Sequence, residues 1–222
     1  MKGLFAARQQ GRPIFFVVPA TTAIGALSSR IAGSATIIAI GALAGLIWGL
    51  IVGYTASRLG RRQGRAQALA IGSLYLGVLV ATTLFGGSLF AMMLYASSLS
   101  VPETVLGLMR PRLGGGFAFF VIFNSLMEWL LLPATLCLNW HLPARRALIV
   151  AGATLYYLSR AWSYLYFVPP ILRFMEIPAG GPLTPDLADQ IVQWVNRSWM
   201  RAAIDGVVAI LFLLATLKDH TK

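Results

Sequence analysis

Residues 34–57 and 66–97 contain no Asp, Glu, Lys or Arg. A helix crossing a bilayer needs about 20 apolar residues, within a range of about 17–25. Inside lipid the backbone finds no external hydrogen-bond partner, so such runs are read as helices. Four further apolar runs, at about 13–29, 115–138, 147–170 and 200–217, repeat the pattern. The chain is therefore read as an all-α integral membrane protein, a polytopic bundle of six transmembrane segments. The first run is short and holds Pro19; if it is re-entrant or interfacial, five spans remain. Composition agrees: 58% of residues are apolar and 11% charged, against about 25% charged in soluble domains.

The net charge of +11 is distributed as topogenic charge. Lys2, Arg8 and Arg12 precede the first run, and Arg58, Arg61, Arg62 and Arg65 separate the second from the third. Arg145 and Arg146 lie between the fourth and fifth, and Lys218 and Lys222 follow the sixth. Glu103, Glu176, Asp186 and Asp189 occupy the alternate loops. The positive-inside rule then places both termini in the cytoplasm, in the cytoplasmic (inner) membrane if the cell is bacterial. No basic amphipathic segment stands clear of the apolar runs, which excludes nucleic acid as a partner. The N-terminal run reads as a signal-anchor or first span. A lone Cys137 excludes an internal disulfide.

The organisation expected is a helical hairpin over residues 1–65 and a four-helix bundle over 66–222. Within the latter, "TPDLADQIVQWVNRSWMR" predicts an amphipathic outer-surface helix at about 184–199. Thr184 is its N-cap and Pro185 its first residue, and Leu187, Ile191 and Trp194 recur at helical spacing.

Gly41, Gly45, Gly49 and Gly53 recur every fourth residue and form one small-residue face. That face predicts close helix packing, within the chain, with a membrane-protein partner or in a homo-oligomer. The adjoining loop, "GYTASRLGRRQGR", resembles the short cytoplasmic motif of major facilitator transporters, with Ser57 at its acidic position.

Two charges interrupt the middle of runs. Glu128 sits in "FNSLMEWLLLP" and Arg160 in "YYLSRAWSYLYFVPP". Each alone costs about 2.5–3.5 kcal/mol at the bilayer centre on insertion scales. Lying on consecutive segments, they are expected to face each other inside the bundle, with Asn124 beside Glu128. Tyr157 and Tyr164 lie at Arg160's spacing and line an aromatic cavity in the alternative to an outer aromatic belt. Arg201 and Asp205, four apart in the last run, pair along one helix face or join the Glu128–Arg160 site. His141 and His220 both fall outside the run centres, so no intramembrane His ligand for haem exists and no cofactor or metal site is expected.

"FGGSLFAMMLYASSLSVPETV", "ARRALIVAGATLYYLSRAWSYLYFVPP" and "WVNRSWMR" are similar to the first span, the third span and the entry to the fourth in the anthrone-oxygenase-like family of four-span membrane proteins. Trp194 and Arg201 match that family's pattern, whereas Ser198 and Ile171 stand where it carries Asn. The resemblance implies a cofactor-free oxygenase-like or redox role on a hydrophobic small molecule. Glu128 or Asp205 would accept a proton, and Arg160 or Arg201 would hold the developing anion. Two readings stand beside it: a non-catalytic accessory or assembly subunit packing through its glycine face, and a small-molecule transporter.

Overall fold

The computed structural model describes residues 13–59, 63–109, 115–178 and 183–218. Lys2, Arg8, Arg12, Arg61, Arg62, His220 and Lys222, which enter the topology and haem readings, lie outside the described residues. Among those described there is no strand. The chain runs α1 (Ile14–Ser29), α2 (Ala35–Leu59), α3 (Gln63–Ser97), α4 (Pro102–Met109), α5 (Gly115–Leu126), α6 (Leu132–Asn139), α7 (Pro143–Trp162), α8 (Val168–Glu176) and α9 (Pro185–Leu217). Single π-helical turns, Met127–Leu131 and Ser163–Phe167, join α5 to α6 and α7 to α8.

Among the described residues, four helical stretches, not six, are long and apolar enough to cross a membrane: Ala35–Leu59, Ala66–Ser97, Ala118–Asn139 and Pro185–Leu217. The other two expected segments fall short for different reasons. Helix α1 has 16 residues, a rise of about 24 Å against a hydrocarbon core of about 30 Å. Helix α7 is 20 residues long but carries Arg145, Arg146 and Arg160.

The glycine face of α2 is filled by the chain itself. A side chain at Gly45 would run into the backbone of Thr21, one at Gly41 into that of Gly25, and one at Gly49 into the side chain of Thr21. Ile14 meets Gly53 at the other end, so α1 and α2 pack antiparallel at backbone distance. The face is therefore covered by α1 rather than left open to a partner. The opposite face of α2, with Ile40, Leu43, Ile47 and Ile51, is exposed, as a lipid-facing surface would be.

Helices α3 and α9 are antiparallel neighbours: Phe212 packs on Gly77 and Phe85 on Gly206. Phe212 also covers Gly152 of α7, which closes a three-helix contact. Polar side chains join α6 to α3. Thr135 Oγ1 donates to Ser73 O (3.2 Å), and Asn139 Nδ2 donates to Ala70 O (3.2 Å).

The expected surface helix at 184–199 is instead the first half of α9, a single helix of 33 residues. Its start is the one expected: Thr184 caps it, accepting from Leu187 N at 3.4 Å, with Pro185 next. Nothing in "NRSWMRAAID" breaks a helix, so it continues into the apolar run. Ile191, Trp194 and Val195 are buried in a cluster with Val105 and Leu106 of α4 and Phe174 of α8. The amphipathic half thus turns its apolar face onto protein.

Both π turns lead into proline: Pro133 after the first, Pro169 and Pro170 after the second. Proline has no N–H and clashes with the carbonyl four residues back, and a π turn is one way a helix accommodates that. For Pro133 the carbonyl is Trp129 O, and it is not orphaned: Trp48 Nε1 of α2 donates to it at 2.7 Å. Phe167 O, in the second π turn, accepts from Trp194 Nε1 at 3.0 Å.

Candidate functional site

The mid-run charges meet between the two apolar clusters. Along α3, Leu84 belongs to one cluster and Met92 to the other, with Ser88 between them. Along the α7 segment the order is Tyr157, Arg160, Phe167, and along α9 it is Val208, Asp205, Ala202. Each helix thus contributes polar residues at the level where the two cores separate.

Glu128 is held in the first π turn and its side chain is 1% exposed. Both carboxylate oxygens are engaged: Arg160 Nε donates to Oε1, and Tyr164 OH donates to Oε2 at 3.1 Å. The Arg160 guanidinium also lies over the Tyr164 ring, 4.8 Å from its centroid. Tyr157 OH donates not to the carboxylate but to the Glu128 main-chain carbonyl (2.9 Å). Asn124 sits beside this group through a residue that spacing did not single out. Tyr156 OH donates to Asn124 Oδ1 (2.8 Å), while Asn124 Nδ2 donates back to Phe120 O (2.7 Å). Three tyrosines of this segment therefore serve the buried site, whereas its fourth, Tyr166, is 64% exposed.

Arg201 and Asp205 do not form the expected ion pair. Asp205 accepts from Ser88 Oγ of α3 at 2.9 Å, tying α3 to α9, and the Arg201 guanidinium stacks on Phe167, 4.7 Å from the ring centroid. Arg201 nevertheless shares a wall with Arg160, because both line a cavity of ≈ 210 Å³ formed by residues of α3, α4, α5, α7–α8 and α9, with Ile31 between α1 and α2. Its lining combines apolar residues, among them Met92, Met109, Phe120 and Ile171, with Asn124, Tyr95, Tyr164 and the two arginines. Glu128 and Asp205 do not line it: each lies behind a residue that does, Glu128 behind Arg160 and Tyr164, Asp205 behind Ser88. On the far side of Phe167 and Trp194 lies an open groove of ≈ 320 Å³ with Gln190, Gln193 and Arg197.

A second buried polar group escaped sequence reasoning. Arg145, expected as a loop charge, is 3% exposed, and its Nη1 donates to Asn139 Oδ1 at 3.0 Å. Asn139 is fully buried and sits where α3, α6 and α7 converge. No feature of the basic pair Arg145–Arg146 distinguishes a folded-in arginine from a solvated one.

Compared with protein-family models, curated proteins and solved structures, the chain matches none of them.

Proposed function

We propose that this chain is a multi-pass membrane protein that holds a small hydrophobic molecule by its polar end in the cavity between α3, α5, α7 and α9. The observation carrying this reading is the cavity's lining, mostly apolar with a few convergent hydrogen-bond donors, a pattern typical of small-molecule sites. At ≈ 210 Å³ it lies below the about 300–1,000 Å³ of pockets for drug-sized ligands, which suits a small guest. Oxygenase-like chemistry on that guest is the further step implied by the resemblance to the anthrone-oxygenase-like family. In this geometry Arg160 and Arg201 would stabilise developing charge. Tyr164, which faces the cavity and touches Glu128, would be the hydroxyl nearest the reaction. The accessory-subunit reading loses its motive, since α1 already covers the glycine face.

The test is retention of the guest. Protein purified in mild detergent should release a recurrent small hydrophobic compound on solvent extraction, detected by mass spectrometry. Ala91→Trp, which places an indole in the cavity, should reduce that compound at least about tenfold without loss of the folded protein. Equal recovery from both proteins, or no recurrent compound from either, removes the support for a binding cavity.

The same proposal includes six membrane segments, with α1 and α7 as the short and the charged member. The antiparallel packing of α1 on α2 and the Glu128–Arg160 pair make both tolerable in lipid, since a paired charge lowers the cost of insertion. Both termini and the basic 58–65 segment are placed in the cytoplasm by the positive-inside rule. In a Cys137→Ser background, a cysteine at Thr184 should react with an impermeant maleimide in intact cells. One at Arg62 should react only after permeabilisation, and labelling of both from outside would overturn the topology.

A further inference from the structure

We infer that the polar end held in this cavity is an anion, the carboxylate or similar monoanion of a small amphiphile, received by Arg201 with Arg160 beside it. The inference rests on the cavity-binding reading above and adds the charge of the guest. A guanidinium is permanently charged and carries five N–H donors and no acceptor. Arg160 spends Nε on Glu128. Arg201 makes no hydrogen bond and no ion pair within 4.0 Å among the described residues; its contact is the stacked Phe167 ring. The nearest carboxylate along its own helix, Asp205, is turned to Ser88. An arginine at membrane depth without an acceptor is costly, and such residues pair with an opposite charge or backbone carbonyls.

The rest of the wall favours the same charge. Both carboxylates of the region lie off the cavity surface, whereas both guanidinium groups are on it. The serines that line it beside Arg160 and Arg201 do not compete for the guest's charge: Ser163 donates to Ser159 O and Ser198 to Trp194 O, each at 2.8 Å. A cationic head would add a third positive charge to this wall, and a neutral apolar one would leave the Arg201 N–H donors without an acceptor. A carboxylate matches a guanidinium fork with two parallel charge-assisted bonds. Met92, Met109 and Phe120 then offer adaptable apolar contact to a short tail.

The experiment measures binding of hexanoate, 1-hexanol, hexylamine and acetate to the full chain in nanodiscs, by the shift in unfolding temperature across a concentration series. Hexanoate is expected to bind at least about tenfold more tightly than hexanol or hexylamine, in line with a hydrogen bond to a charged group, and more tightly than acetate. Arg201→Gln should abolish the preference for hexanoate over hexanol while leaving hexanol binding in place, and Arg201→Lys should retain part of it. Equal binding of hexanoate and hexanol, or a preference that survives Arg201→Gln, overturns the anion while leaving the hydrophobic cavity standing. Acetate binding as tightly as hexanoate overturns the amphiphile in favour of a free small anion. Binding of none of the four probes removes the cavity reading and this inference with it. If Arg201→Gln does not fold, the ranking of the four probes on the native chain decides.

Discussion

Replacing Glu128 with Leu is expected to destabilise the protein by about 3–5 kcal/mol, because it leaves Arg160 charged and unpartnered in the interior. The Arg160 side chain is only 13% exposed, so water compensates little of the loss. Tyr164 OH also loses its acceptor, which adds to the cost. The double change Glu128→Leu with Arg160→Met should recover most of the stability, since apolar groups of similar volume often replace a buried ion pair with little loss. The measurement is the unfolding free energy of the three proteins under one membrane-mimetic condition. A single variant as stable as the native chain would show that the pair contributes nothing. A double variant as unstable as the single one would show that the carboxylate acts through something other than Arg160. The pair also separates stability from binding: Arg160 lines the cavity and Glu128 does not. The recovered double variant should therefore fold and still retain less of the bound compound.

The second large effect is expected at Asn139. Asn139→Leu keeps the γ-branched shape but removes the acceptor for Arg145 Nη1 and the donor to Ala70 O. It should cost about 1.5–3 kcal/mol, the range for a hydrogen bond involving a charged group. Asn139→Asp keeps an acceptor toward Arg145 and should lose less. In a double-mutant cycle with Arg145→Ala, a coupling of about 1 kcal/mol or more is expected for residues in direct contact. Additive losses would mean that the two side chains contribute independently, and the contact would then carry no stability of its own.

These two sites differ in how much of them spacing reveals. Two opposite charges in the middle of consecutive apolar runs leave few arrangements in lipid, so the Glu128–Arg160 contact is legible from hydropathy and the cost of an unpaired charge. Asn139 and Arg145 flank a turn between runs, where a buried arginine and a topogenic one read alike. Asn124 and Glu128, four apart, share a helix face on paper. In the folded chain they meet partners that are themselves four apart on α7, Tyr156 for Asn124 and Arg160 for Glu128, with the π turn beginning between them at Met127. The prolines after both π turns were the available signal, for the missing N–H at Pro133 frees the carbonyl that Trp48 takes.

What the residues determine by themselves is set by local chemistry. Uncharged runs of about 20 residues or more dictate helices suited to a bilayer, Thr184–Pro185 starts α9, and glycine at every fourth position prepares α2 for a close neighbour. Which neighbour takes that face is a tertiary matter: α1 folds back onto it because the connection is short and Gly25 and Thr21 are small enough for backbone contact. The continuity of α9, the turning of Asp205 to Ser88 and the exposure of Arg201 rather than Glu128 to the cavity were likewise decided by helix rotation. Rotation depends on how the bulky residues Phe85, Phe119 and Phe212 seat against glycines of other helices. Those contacts join residues more than 30 positions apart and have no period for a sequence to display.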